Sequence, residues 1–209
     1  MLEKMNAKEY WDSIYDSKAT HQLSWFQVLP KTSLDFIHSF NLPKTAKIID
    51  VGGGDSKLVD ILLDEGFENI TILDVSGSAI SKCRERLGAR ANRVKWIEKD
   101  VCDFKPDSCY DLWHDRATFH FLTGKTQIEY YMKLAKESVS GYIIVGTFSN
   151  NGPLKCSGLE VKQYSQDQLT ERFQNNGFEK FKCVTEDHKT PFGTMQNFTF
   201  CSFNKIHAL

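Results

Sequence analysis

From Ala46 to Phe148 short β-branched runs alternate with amphipathic helical stretches, and this alternation limits the chain to very few architectures. Lys47–Val51 reads as a strand, followed by a helix over Lys57–Glu65. Asn69–Asp74 is a second strand with a helix over Ser78–Leu87, and Arg93–Ile97 is a third. Tyr110–Trp113 is a fourth, followed by a helix over Thr126–Glu137, and Gly141–Phe148 is a fifth. Strands separated by helices cannot pair as hairpins, so they form a parallel sheet covered on both faces. The flanks break the pattern. Lys8–Tyr15 and Thr32–Phe40 read as helices that precede the sheet, with Ser24-Trp25-Phe26 between them. After a helix near Gln166–Asn176, Phe178–Thr185 and Met195–Phe203 have no helix between them, only a turn around Pro191-Phe192-Gly193, which suggests a hairpin. At 209 residues this is one domain: a helical lid segment (1–45), a core (46–148), and an acceptor-side segment ending in the hairpin (149–209).

The first strand ends in Asp50-Val51-Gly52-Gly53-Gly54-Asp55-Ser56. In open α/β sheets ligands bind beyond the carboxyl ends of the strands, and glycines at the first turn let them approach the backbone. Asp74 closes the second strand, where an acid can accept from ribose hydroxyls, and Asp100-Val101 closes the third, where an adenine could bind. With Asp50, three successive strand ends carry carboxylates, suited to a nucleoside bearing cationic groups. A nicotinamide dinucleotide is the competing ligand, but its G-x-G-x-x-G fingerprint needs glycine at position 57, which is Lys57. No phosphate-binding G-x-x-x-x-G-K-[ST] occurs.

Charge excludes little and favours nothing. Lys and Arg (26) nearly balance Asp and Glu (27), so no nucleic-acid partner is expected. The cysteines, Cys83, Cys102, Cys109, Cys156, Cys183 and Cys201, form no C-x-x-C pair, so no metal site is expected. Reduced thiols are expected, together with a cytoplasmic location and no membrane association, because the polar N-terminus lacks a secretion signal and no run is long enough to span a bilayer.

These motifs resemble class I S-adenosylmethionine-dependent methyltransferases, and more narrowly the methyltransferase-like proteins related to the elongation-factor-1A lysine methyltransferases. The resemblance runs over roughly Tyr10 to Leu122: Tyr10-Trp11-Asp12, Tyr15 and Trp25-Phe26; Asp50 to Leu58; Gly66-Phe67; Ile70 to Ser76; Trp96; Asp100-Val101; and Asp115 to Phe119. It implies a Rossmann-like seven-stranded, mostly parallel sheet whose last strand runs antiparallel. It also implies that Trp11, Tyr15 and Trp25 line a pocket for S-adenosylmethionine (S-adenosylhomocysteine as product), and that Gly52, in the turn with Gly53 and Gly54, lies against its methionine part. Asp74, followed by Val75, would hold the ribose, Asp100 and Val101 would meet the adenine, and Arg116 would border the transferring methyl. One departure matters. The lysine enzymes carry an acid, Lys-Gly-Thr and then a second acid, whereas this chain has Asp115-Arg116-Ala117-Thr118-Phe119-His120. An Asp-Arg motif followed by a Gly-Pro-rich segment is also loosely similar to the thiopurine-type small-molecule enzymes.

His114, Asp115 and His120 cluster after the fourth strand, beside the expected methyl position, and are the candidate catalytic residues. A base is required only if the acceptor arrives protonated. His188 suits surface or turn duty, and Cys156 has nothing nearby to activate it. The sequence favours methylation of a small-molecule nucleophile at S, N or O. A protein-lysine methyltransferase and a non-catalytic nucleoside-binding module are the alternatives.

Overall fold

The computed structural model describes residues 6–206. The first five residues of the expected lid segment and the last three of the 149–209 segment lie outside the described residues. In chain order the elements are α1 (Ala7–Ser17), α2 (Lys31–Ser39), β1 (Lys47–Val51), α3 (Leu58–Asp64), β2 (Asn69–Asp74), α4 (Gly77–Leu87), β3 (Val94–Glu98), β4 (Tyr110–Arg116), α5 (Lys125–Ser138), β5 (Val139–Phe148), β6 (Lys155–Cys156), β7 (Leu159–Glu160), α6 (Gln166–Gln174), β8 (Phe178–Lys189) and β9 (Met195–Lys205).

Seven strands form one sheet in the order β3-β2-β1-β4-β5-β9-β8. The first five are parallel, and β9 runs antiparallel to both β5 and β8. Strand order reverses between β1 and β4, and the crevice opened there is where α/β sheets bind ligands. Successive strand residues point to opposite faces, and the two cores follow that period. Ile48, Ile72, Leu112 and Ile144 join α2, α3 and α4 on one face. Ile49, Leu73, Trp113 and Val145 join α5 and α6 on the other. Each fully buried Ile or Leu contributes about 1.5–3 kcal/mol.

Helix starts follow local chemistry. Asn6 and Glu9 form a capping box on α1, Ser76 caps α4, and Ser165 and Gln168 box α6. Three differences from the sequence reading bear on the site. β4 continues through His114-Asp115-Arg116 rather than stopping at Trp113. A polar run resembles a loop in sequence, but β1 and β5 satisfy its backbone from both sides. The segment between Phe148 and α6 holds a small antiparallel pair, β6 with β7. The final hairpin is longer than expected, and within it Cys183 faces Cys201 across the ladder with a Cα separation of 4.1 Å, forming a disulfide. That corrects the expectation of six reduced thiols: 18 residues apart along the chain, the two are direct neighbours across the sheet. Among the described residues no helix is long and apolar enough to cross a membrane.

Candidate functional site

A cavity of about 410 Å³ opens over the carboxyl ends of β3, β2, β1 and β4. Nine sequence-nominated residues line it: Trp11, Tyr15, Trp25, Gly52, Asp74, Val75, Asp100, Val101 and Arg116. Strand order sets their sequence across the sheet edge, with Asp100 beyond β3, Asp74 on β2, Gly52 beyond β1 and Arg116 on β4. Asp50 and Gly53 instead line a smaller adjoining cavity of about 50 Å³, which shares Tyr15, Trp25, Gly52 and Arg116 with the first. Gly54 lies beneath the turn and lines neither cavity.

The glycine turn allows the carboxylates to crowd together. Gly52 sits at φ +67°, where a side chain would run into the Thr118 hydroxyl, and a Cβ on Gly53 would lie 2.7 Å from Asp50 Oδ2. Asp74 is 8% exposed, and Oδ1 accepts from the Ser76 amide at 2.8 Å. Burial, with the Asp50 and Asp12 charges adding to it, pushes its carboxyl up to about 7, against the opposing pull of the Ser76 and Gly54 amides. No ion pair neutralises Asp74 among the described residues. Asp50 Oδ2 is buried without any partner. Two under-compensated carboxyls beside open space suit a ligand that brings hydroxyl donors and positive charge. At Asp100, Oδ1 accepts from the Cys102 amide at 2.8 Å.

The three catalytic candidates sit behind the main cavity, not in it. His114 is 2% exposed; its Nδ1–H donates to Asp50 Oδ1 at 2.7 Å, and Nε2 accepts from the Ser33 hydroxyl at 2.8 Å. The imidazole therefore joins α2 to the end of β1 and lines only the smaller cavity. Asp115 is fully buried and accepts from the Thr118 and Phe119 amides and the Tyr131 hydroxyl. Burial pushes its carboxyl up to about 6. It holds the turn in which Ala117 takes φ +68°, the uncommon left-handed region. His120 is fully buried, and Nδ1 accepts from the Phe148 amide at 3.2 Å. Burial and the Arg116 charge depress it to about 3, so it is neutral. Adjacent strand residues alternate faces, so the Arg116 on β4 that lines the cavity is next to an Asp115 that points into the opposite core.

The N-terminal segment covers the ligand edge and is anchored from below. Trp11 meets Phe121 edge-on at 5.0 Å and Trp25 at 5.8 Å. Asp12 accepts from the Ser76 hydroxyl (2.7 Å) and the Ser78 amide (3.0 Å), and the Lys82 ammonium donates to the Tyr15 and Lys18 carbonyls. Arg116 Nη1 donates to the Trp25 carbonyl at 2.9 Å, and His188 Nε2–H donates to the Ser24 carbonyl at 2.8 Å. His188 is thus a buried strap residue rather than a surface or turn one. Tyr10 donates to the Ser157 carbonyl, bringing the β6–β7 pair over the cavity, where Cys156, Leu159 and Glu160 join its lining. Burial pushes the Cys156 thiol up to about 11. Sequence reasoning missed the β6–β7 contribution and Ser33, because both act through long-range contacts; among the anchors, Tyr10 and Asp12 sit in the aromatic motif and Arg116 was already nominated.

A methyltransferase-domain family model matches residues 48–137. The chain is 23% identical over 117 residues to an eEF1A lysine and N-terminal methyltransferase of Mus musculus, covering 56% of this chain and 16% of the relative. This chain therefore spans about a sixth of that relative's length. Among solved structures, a protein described for the conversion of a disulfide bond into a thioacetal group during echinomycin biosynthesis superposes with TM-score 0.76 at 17% identity, covering 95% of this chain and 93% of the other. A 1,6-didemethyltoxoflavin-N1-methyltransferase of Burkholderia thailandensis, bound to 1,6-didemethyltoxoflavin and S-adenosylhomocysteine, superposes with TM-score 0.67 at 15% identity, covering 95% and 84%. Both share this fold.

Proposed function

We infer that this chain, a class I S-adenosylmethionine-dependent methyltransferase, methylates a small-molecule nucleophile. Asp74 would hold the ribose hydroxyls, Asp100 and Val101 the adenine, and Gly52 the methionine part, with Trp11, Tyr15 and Trp25 closing over them. The cofactor supplies a methyl group activated on a sulfonium, and the protein's part is binding, alignment and electrostatics. His114, Asp115 and His120 are positioning residues in this reading. Each is engaged in holding the β4 end, and none reaches the main cavity.

The observation that carries the small-molecule reading is the roof. The β6–β7 pair, tied to α1 through Tyr10 and Ser157, adds Cys156, Leu159 and Glu160 to the cavity lining, which supports a covered acceptor side. A lysine side chain on a folded protein would need an open channel through that cover. The lysine-methyltransferase relatives support the second reading, protein-lysine methylation. The position of their second acid is here a buried, neutral His120, which offers no carboxylate to an amine. Incubation with radiolabelled S-adenosylmethionine and size-fractionated lysate separates the two. Label is expected in the small-molecule fraction; label only in macromolecules would overturn the assignment.

A further inference from the structure

Arg116 is the cation at the β4 end of the cavity, and it is paired with no described carboxylate. Its guanidinium carries several donors. Nη1 donates to the Trp25 carbonyl, while Nε and Nη2 are buried without any hydrogen-bond partner. The face of Phe198 lies 5.2 Å from the guanidinium carbon. Glu186 is near enough for its charge to be felt, yet it forms no ion pair with Arg116 and accepts from the Thr32 hydroxyl instead. Burial lowers the guanidinium to about 10, so it remains charged at neutral pH.

Arg116 is half-buried, and a cation partly withdrawn from water with two unpartnered donors is costly for a fold to keep. The Glu186 and Asp50 charges favour the guanidinium from a distance without forming an ion pair with it, while Cys156 is held as the neutral thiol, His120 is neutral, and Glu160 is an exposed rim residue. Arg116 lines both the main cavity and the smaller one on the Asp50–His114 side. A cationic cofactor bound beside it would raise the local positive charge further, and an anion would offset both.

Resting on the methyltransferase reading, we propose that the acceptor is a small anion recognised by Arg116, either as an anionic nucleophile such as a thiolate or through a carboxylate handle. The same charge disfavours an ammonium acceptor, which sets this site apart from one built for lysine. A guanidinium matches planar anions through parallel N–H donors, which a compact ammonium cannot reproduce.

The test is calorimetric and needs no turnover. The full chain is saturated with S-adenosylhomocysteine and titrated with thiophenol above its pKa, with benzoate, and with benzylammonium as the cationic match in shape. At least one anion is expected to bind at least 10-fold more tightly than benzylammonium. Thiophenolate preference would identify the nucleophile as the charged group, and benzoate preference a handle. Arg116→Met should erase the anion preference, and Arg116→Lys should restore part of it. Equal binding of all three probes, no binding of any, or an anion preference that survives Arg116→Met would each overturn the proposal while leaving the cofactor assignment intact. Failure of S-adenosylhomocysteine to bind the wild-type chain would instead overturn the methyltransferase reading, and this proposal with it.

Discussion

His114 is where a single substitution separates a structural relay from a catalytic base. Its imidazole makes two buried hydrogen bonds, to Asp50 Oδ1 at 2.7 Å and with the Ser33 hydroxyl at 2.8 Å. A hydrogen bond to a charged group contributes about 1.5–3 kcal/mol and one between neutral groups about 1. His114→Leu removes both and leaves the Asp50 carboxylate, whose Oδ2 already lacks a partner, without compensation on either oxygen. The expected loss is roughly 3–4 kcal/mol, against about 1 for Ser33→Ala, which keeps the bond to Asp50. At this chain length about 2–4 °C of Tm goes with each kcal/mol, so His114→Leu should lower Tm by on the order of 10 °C. Differential scanning fluorimetry on His114→Leu, on Asp50→Leu and on the double variant gives the cycle. The double variant should lose less than the sum of its parts, because removing the carboxylate removes the orphaned charge. A drop below about 3 °C for His114→Leu, or simple additivity in the cycle, would refute the relay and reopen a proton-transfer role.

Other expectations follow from the same geometry. Asp74 has a folded-state pKa near 7, above the usual carboxyl value, so the folded chain binds more protons than the unfolded one and this residue's contribution falls as pH rises from about 4 through 7. Asp74→Asn should therefore make the ligand-free protein more heat-stable at pH 8, with the gain vanishing near pH 4, while S-adenosylhomocysteine binding measured by calorimetry is lost. An unchanged pH profile would contradict the buried, under-compensated carboxyl. Gly52→Ala forces a side chain into positive φ and against Thr118; it should cost about 1–3 kcal/mol in urea unfolding and weaken cofactor binding. Thiol titration of the denatured, unreduced chain should count Cys83, Cys102, Cys109 and Cys156 as free and leave Cys183 and Cys201 unreactive. Six reactive thiols would remove the cross-strand bridge.

What could be read from the sequence was what local periodicity and turn chemistry determine. The alternation from Ala46 to Phe148 located all five parallel strands, because a buried parallel strand needs a continuous β-branched run and its helix needs a 3.6-residue stripe. Asp74 and Asp100 were legible for a similar reason: a strand end is a local feature, and in a parallel sheet all such ends share one edge. The rest depended on partners far away in the chain. His114 reads as a loop histidine until β1 brings Asp50, and α2 brings Ser33, to its two ring nitrogens. Cys183 and Cys201 read as separate buried thiols until hairpin register places them opposite each other. Arg116 is the sharpest case, because from sequence it could equally have paired with Asp115. In the fold Asp115 turns to Tyr131 and two backbone amides, so its charge is already engaged and Arg116 is left without a counter-ion. One residue of strand alternation thus separates two neighbouring charges, with Asp115 in the core and Arg116 lining the cavity without an ion pair.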